Sequence, residues 1–305
     1  MALNAAILGA GFIGQNFLRS GLQSGGAFRV LDHKECPPEF ASNLTWIKGD
    51  LSDENAVRCV LKNVNVVYHF ISSTVPGDAT EESSELIQNV VETLRLLKLC
   101  VQEKVSRIVF VSSASVYGVQ EILPISERAL TNPISSHGIH KLTIEKYLQL
   151  YQYQYGLECK IIRLSNPYGP GQSVKGRQGF VAIAVGKILS GESVIIRGDG
   201  STVRDYIFID DVSEVLHLMG KIQTSENVFN VGSGQGITLN EIVSIIRELI
   251  LNPFFVEYVG SRFVDIPVSV LDTSKIEGML CKGPNISLRE GLARTLMFHN
   301  VPLRR

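Results

Sequence analysis

Short apolar runs alternate with longer amphipathic stretches over the first half of the chain. Runs at 5–8, 28–31, 45–47, 64–70, 107–111 and 160–164 have strand length. Between them, stretches at 13–22, 54–61, 84–101 and 139–155 read as helices. Several strand runs, such as 64–68 and 108–111, are apolar without alternation. Strands covered by helices on both faces read this way, so the pattern predicts a Rossmann-like α/β fold, a doubly wound parallel sheet. After Leu164 the texture changes. Residues 166–171 (Asn-Pro-Tyr-Gly-Pro-Gly) read as a loop. A helix at 180–189 and strands at 193–196 and 206–209 follow, and the C-terminal third carries weaker sheet signals. The expected organisation is a nucleotide-binding domain over 1–165, with segments near 206–232 and 265–275 returning to it. A smaller, mainly substrate-binding region covers 166–305.

Composition narrows the class without adding a site. Of 305 residues, 45% are hydrophobic and 19% charged, a globular balance with a sizeable core. A formal charge of -1 gives no basic excess for nucleic acid or an anionic membrane surface. No apolar run reaches membrane-spanning length. Cys36, Cys59, Cys100, Cys159 and Cys281 are scattered and odd in number, which reads as free thiols in a reducing compartment. The expected location is the cytoplasm. No His-Glu-x-x-His spacing is present, and no metal site is expected.

The first chemical signal is GAGFIG at 9–14, between the first strand run and the first helix. Gly9 permits a tight turn, Gly11 lets the backbone approach a pyrophosphate, and Gly14 lets helix and strand pack closely. Phe12 and Ile13 open the helix, whose N-terminus offers N–H groups to phosphates. Asp32 ends the second strand, where its carboxylate can take both ribose hydroxyls and repel a 2′-phosphate, favouring NAD over NADP. A structural glycine turn with a solvated Asp32 is the plain alternative.

Further segments follow in order: KGDLSD (48–53), VYHFISS (67–73), QNVVETLRLL (88–97), FVSSASVYG (110–118), NPISSHGIHKLTIEKY (132–147), RLSNPYGPGQ (163–172), IIRGDGSTVRDYIFIDDV (195–212) and FNVGSG (229–234). Together with the glycine turn they resemble the extended short-chain dehydrogenase/reductase family, nucleotide-sugar epimerase type, over nearly the whole chain. The resemblance implies contacts to adenine from Asp50 and Leu51, and a cofactor channel lined by His69, Phe70 and Ile71. It implies a catalytic hydroxyl at Ser113, a catalytic lysine at Lys141, and support of the helix below by Asn89. It further implies substrate contact from Asn166, a diphosphate clamp from Arg204 and Arg262, and supporting roles for Asp205, Tyr206 and Asp272. Ser269, two residues after Pro267, falls where the family sets the room for a C2 substituent; a small residue there leaves space for an N-acetyl group. The implied ligands are NAD and a nucleotide-diphosphate sugar, and the implied assembly is a homodimer through helices 84–101 and 139–155. Surface ion pairs for Arg204 and Arg262, and packing roles for Asn89 and Tyr117, stay open.

The chain departs from the family pattern twice. The family motif is Tyr-x-x-x-Lys, and here the first position is His137. Three readings compete. His137 acts as acid and base itself, since an imidazole titrates at about 6.5; the chain binds its ligands but turns over poorly; or the position is a substitution that traps substrate. The family's first glycine also falls on Leu8, so the glycine spacing is one residue shorter than the family's. Ala114 and Ser115 replace the acidic pair of the dehydratases, which disfavours 4,6-dehydration. The expected activity is C4 epimerisation of a UDP-hexose or UDP-N-acetylhexosamine by transient hydride transfer. A nucleotide-sugar 4-ketoreductase and a catalytically impaired binding protein are the alternatives.

Overall fold

The computed structural model describes residues 4–73, 82–176, 178–260, 266–281 and 283–304. The N-terminal half runs β1 (Asn4–Leu8), α1 (Phe12–Gln23), β2 (Ala27–Asp32), β3 (Thr45–Lys48), α2 (Glu54–Leu61), β4 (Val66–His69), α3 (Glu82–Leu86), a π-type turn (Ile87–Val91), α4 (Glu92–Gln102) and β5 (Arg107–Ser113). A 3₁₀ turn (Ala114–Tyr117), α5 (Ser136–Tyr155) and β6 (Glu158–Leu164) complete it. The remainder comprises β7 (Asn166–Tyr168), α6 (Phe180–Leu189), β8 (Val194–Arg197), β9 (Val203–Phe208), α7 (Ile209–Met219), β10 (Val228–Val231) and β11 (Gly236–Thr238). It ends with α8 (Leu239–Leu249), β12 (Val256–Val259), β13 (Val268–Ser269), α9 (Ser274–Leu280) and α10 (Leu288–Phe298).

The main sheet has seven parallel strands in the order β10-β6-β5-β4-β1-β2-β3. Its strands serve two cores at once, which is why their sequences lack polar alternation. Ala5, Ile7, Val109 and Val111 face the core that holds Phe17 of α1 and Val212 of α7. Ala6, Leu8, Ile108 and Phe110 face the core that holds Val57 of α2, Leu97 of α4 and Leu148 of α5. Chain direction along the sheet reverses between β1 and β4, so a crevice opens at their carboxyl ends, where such sheets bind ligands.

Two local readings change. Residues 166–168, expected as loop, form β7, paired only with β9. An edge position tolerates Pro167, which has no N–H to give. The helix expected over 84–101 begins at Glu82 and is interrupted by the π-type turn. There Asn89 donates from Nδ2 to the Glu85 carbonyl and to Ser73 Oγ (both 2.8 Å), while its Oδ1 accepts from Ser73 N. The side chain thus ties the turn to the segment after β4.

Candidate active site

The glycine turn is built as its composition demands. Gly9 has φ +92°, a region that favours glycine. A Cβ at Gly14 would lie 2.2 Å from the Gly9 carbonyl oxygen, so helix and turn touch at a point that excludes a side chain. A Cβ at Gly11 would meet nothing within 4 Å, which leaves its face open toward the crevice. Helix α1 has no side-chain cap and no acidic residue in its first turn. Its N-terminal donors therefore suit an anionic group. Asp32 holds the turn from behind: Oδ2 accepts from Ala10 N (2.7 Å) and Oδ1 from Lys34 N (2.8 Å). Each oxygen keeps accepting capacity for a ribose hydroxyl. These features fit a dinucleotide whose diphosphate sits on α1.

A cavity of about 420 Å³ lies against this turn. Gly11, Phe12, Ile13, Gly14 and Phe70 line it together with Ser113, His137, Lys141 and Asn166. Ser113 ends β5 and starts the 3₁₀ turn. Its Oγ accepts from Ser115 N (3.1 Å) and Ser115 Oγ (2.9 Å), so its own proton is free to point into the cavity. Ser115, read from sequence only as a replacement in the dehydratases' acidic pair, is thus a partner of Ser113. Helix α5 is capped by Ser135 Oγ, which accepts from Gly138 N at 3.2 Å. A Cβ at Gly138 would sit 2.6 Å from the Ser115 carbonyl, so this glycine lets α5 press against the turn that carries Ser113. His137 and Lys141 stand one helical turn apart, and both are nearly buried. Lys141 Nζ donates to the Val111 carbonyl (2.8 Å) and lies 4.7 Å from the Phe110 ring centroid. Burial lowers its pKa to about 8, against an opposing pull from Glu145.

A second cavity, of about 450 Å³, shares Asn166, Pro167 and Gly179 with the first and contains Arg204. Lys187 and Arg197 line it too, and sequence reading missed both. The alternating burial of β8, which exposes Ile195 and Arg197, is the signal that could have found Arg197. Below this cavity Asp205 is fully buried. It accepts from Ser233 N (2.6 Å), Ser233 Oγ (2.9 Å), Gly234 N (3.2 Å) and Leu271 N (3.3 Å). Its backbone oxygen takes the Asn166 amide at 3.0 Å.

Other expected residues line neither cavity. His69 turns into the core, its Nε2 2.9 Å from Thr93 Oγ1, instead of lining the channel. Leu51 joins the core beside α2, and Asp50 accepts from Ser52 N and Oγ. Ser269 lies on β13 opposite Arg204 and lines neither cavity. Arg262 and Asp265 lie outside the described residues. A larger hollow of about 710 Å³ beside α1 and α7 holds none of the expected site residues. Among the described residues no cluster could hold a metal ion, and no helix is long and apolar enough to cross a membrane.

The NAD dependent epimerase/dehydratase family matches residues 5–232. The chain belongs to this family. A UDP-glucose 4-epimerase of Mycolicibacterium smegmatis is 31% identical over 299 residues, covering 95% of this chain and 96% of that protein. A Thermotoga maritima UDP-glucose 4-epimerase, solved with UDP-glucose, superposes with TM-score 0.89 at 30% identity, covering 98% and 99% of the two chains. MoeE5, solved with UDP-glucose and NAD, gives TM-score 0.87 at 30% identity, covering 97% and 98%. This member of the NAD-dependent family is therefore related over essentially its whole described length to UDP-sugar 4-epimerases, as the motifs lead one to expect.

Proposed function

We propose that this chain is an NAD-dependent nucleotide-sugar epimerase that inverts C4 of a UDP-hexose or UDP-N-acetylhexosamine, with His137 in the place of the usual tyrosine. The reading rests on one observation above the rest: Ser113, His137 and Lys141 line a single cavity against the 9–14 turn. NAD, held on the 9–14 turn and by Asp32, would supply a reversible hydride acceptor at the sugar carbon. Around that exchange the protein manages a proton. Ser113 donates its hydroxyl hydrogen to the sugar oxygen, and an imidazole nitrogen of His137 takes the oxygen's proton as hydride departs and gives it back on return. Lys141, held by the Val111 carbonyl, keeps positive charge beside that oxygen. Turning the keto sugar over between the two transfers lets the hydride return to the opposite face. Lys187, Arg197 and Arg204 bring cationic side chains to the second cavity, which suits the diphosphate. The place of Ser269 leaves the N-acetyl preference resting on residue size alone.

The same reading makes the chain a cytoplasmic homodimer. Leu86, Ile87, Ile139, Tyr147 and Leu150 are exposed on α3, the π-type turn and α5, an apolar face suited to a second copy. All five cysteines are free thiols. Residues 1–165 act as the cofactor domain, rejoined near 206–232 and 265–275, and 166–305 hold mainly substrate.

The decisive experiment incubates purified protein with UDP-glucose or UDP-N-acetylglucosamine, without added cofactor, and follows the C4 epimer by NMR. Epimer formation supports the proposal. Consumption of NADH by a 4-keto sugar instead establishes the reductase, and tight binding with neither reaction establishes a binding protein. The His137→Tyr variant then reports on the imidazole: loss of activity means that the ring works, and a gain means that it impairs.

A further inference from the structure

Beneath the reaction centre lies a buried ion pair that the mechanism above does not use. Glu145 is wholly buried on α5 and Arg163 nearly so on β6. Arg163 grips the carboxylate with Nη2 at 2.7 Å and Nε at 3.2 Å. Its Nη1 donates to the Glu127 carbonyl (3.3 Å), and its guanidinium lies 4.8 Å from the Tyr117 ring centroid. The third partner is Ser112, whose hydroxyl donates to Glu145 Oε1 at 2.5 Å. Burying two charges is costly, and such a pair is at best a weak source of stability. Its position gives it another use. Ser112 lies on β5 between Val111, whose carbonyl receives the Lys141 ammonium, and Ser113. Glu145 lies one helical turn beyond Lys141, which itself lies one turn beyond His137. The carboxylate thus clasps the strand at the residue between the two that α5 must address.

We propose that Glu145 is the positioning residue of the reaction centre: its carboxylate, shared by Ser112 and Arg163, sets His137 and Lys141 in register with Ser113 and is the anion that the buried ammonium of Lys141 faces. The inference rests on the reading of those three residues as the reaction centre. The charged and titratable groups near Lys141 are few. His137 and Glu145 share its helix, Arg163 on β6 pairs with Glu145, and His69 approaches from β4, where burial keeps it neutral. Of these, Glu145 is the group that favours the charged lysine, opposing its burial.

Competitive acetylation with acetic anhydride, read peptide by peptide in a mass spectrometer, gives the titration midpoint of Lys141 without cofactor or substrate. The native midpoint is expected near pH 8. In Glu145→Gln it falls below the native value, because the charge that opposes burial is gone. Glu145→Asp gives a midpoint between the two, and Ser112→Ala, which changes no charge, keeps the native value. In turnover assays both Glu145→Gln and Ser112→Ala lower kcat by at least about tenfold with KM within about threefold, since misplacement by a fraction of an ångström acts on chemistry more than on binding. A native Lys141 midpoint in folded Glu145→Gln overturns the proposal; should that variant not fold, a native midpoint in Glu145→Asp does so. A native kcat in Ser112→Ala overturns it as well. If the native chain shows no epimerisation while the midpoint shifts, the functional reading fails and the pairing of Glu145 with Lys141 stands.

Discussion

Replacing Asp205 by Asn changes one atom and removes one charge at the point where four segments meet. The carboxylate receives Ser233 N, Ser233 Oγ and, at 3.4 Å, Ser165 Oγ at one oxygen, and Gly234 N and Leu271 N at the other. An amide cannot serve all five. With its NH2 on the Oδ2 side, two backbone N–H groups lose their acceptor. With its NH2 on the Oδ1 side, the 2.6 Å approach of Ser233 N becomes a donor–donor contact. A buried donor left without a partner costs about 1–3 kcal/mol, so the substitution is expected to cost about 2–4 kcal/mol. For a chain of this size that corresponds to a fall of about 3–6 °C in Tm. The loss extends to function, because the Asp205 backbone oxygen holds the Asn166 amide and Arg204 is its neighbour in the second cavity. Scanning calorimetry together with calorimetric titration of UDP tests both parts. A Tm within about 2 °C of native, with unchanged UDP affinity, refutes the claim that the carboxylate's five donors hold this cleft in shape.

Two further outcomes follow from the same geometry. Gly14→Ala puts a methyl group 2.2 Å from the Gly9 carbonyl oxygen. The turn must then move by about 1 Å to restore contact distance, and NADH affinity falls by at least about tenfold. The only tryptophan, Trp46, whose Nε1 donates to the Lys34 carbonyl near Asp32, gives a fluorescence signal for that titration, and an affinity within twofold of native defeats the argument. His69 is held neutral, its pKa lowered to about 3 by burial and by Lys141. Between pH 6.5 and 3 the unfolded chain therefore binds the extra proton, and stability falls as pH falls through that window. The expected loss from this ring between pH 7 and 4.5 is about 2–3 kcal/mol. His69→Phe should remove most of it, and equal acid losses for both proteins in urea titrations would dispose of the idea.

The sequence disclosed what depends on periodicity and on glycine. The strands of the main sheet that precede residue 165 announce themselves because each is apolar on two faces. The turn at 9–14 announces itself because the backbone at Gly9, and the contact at Gly14, admit no side chain. Short elements stayed hidden. β7 has three residues, one of them proline, and β13 has two, so neither carries a period. Glu145 and Arg163 stayed hidden for a different reason. Charged residues at such positions ordinarily mark a solvated face, and only the packing of α5 on β5 and β6 brings them together indoors. Ser269 was legible from its motif; it pairs with Arg204 on β9 and lines neither described cavity.

Helix α5 carries both His137 and Lys141, about 6 Å apart along its axis. Ser135 fixes where that helix starts, and Glu145 fixes where it rests. A change of side chain at the first position therefore alters reach without altering bearing, as when one bit is exchanged for another in the same chuck. A ring of different length at position 137 starts from the same point on the helix, one turn before the same lysine.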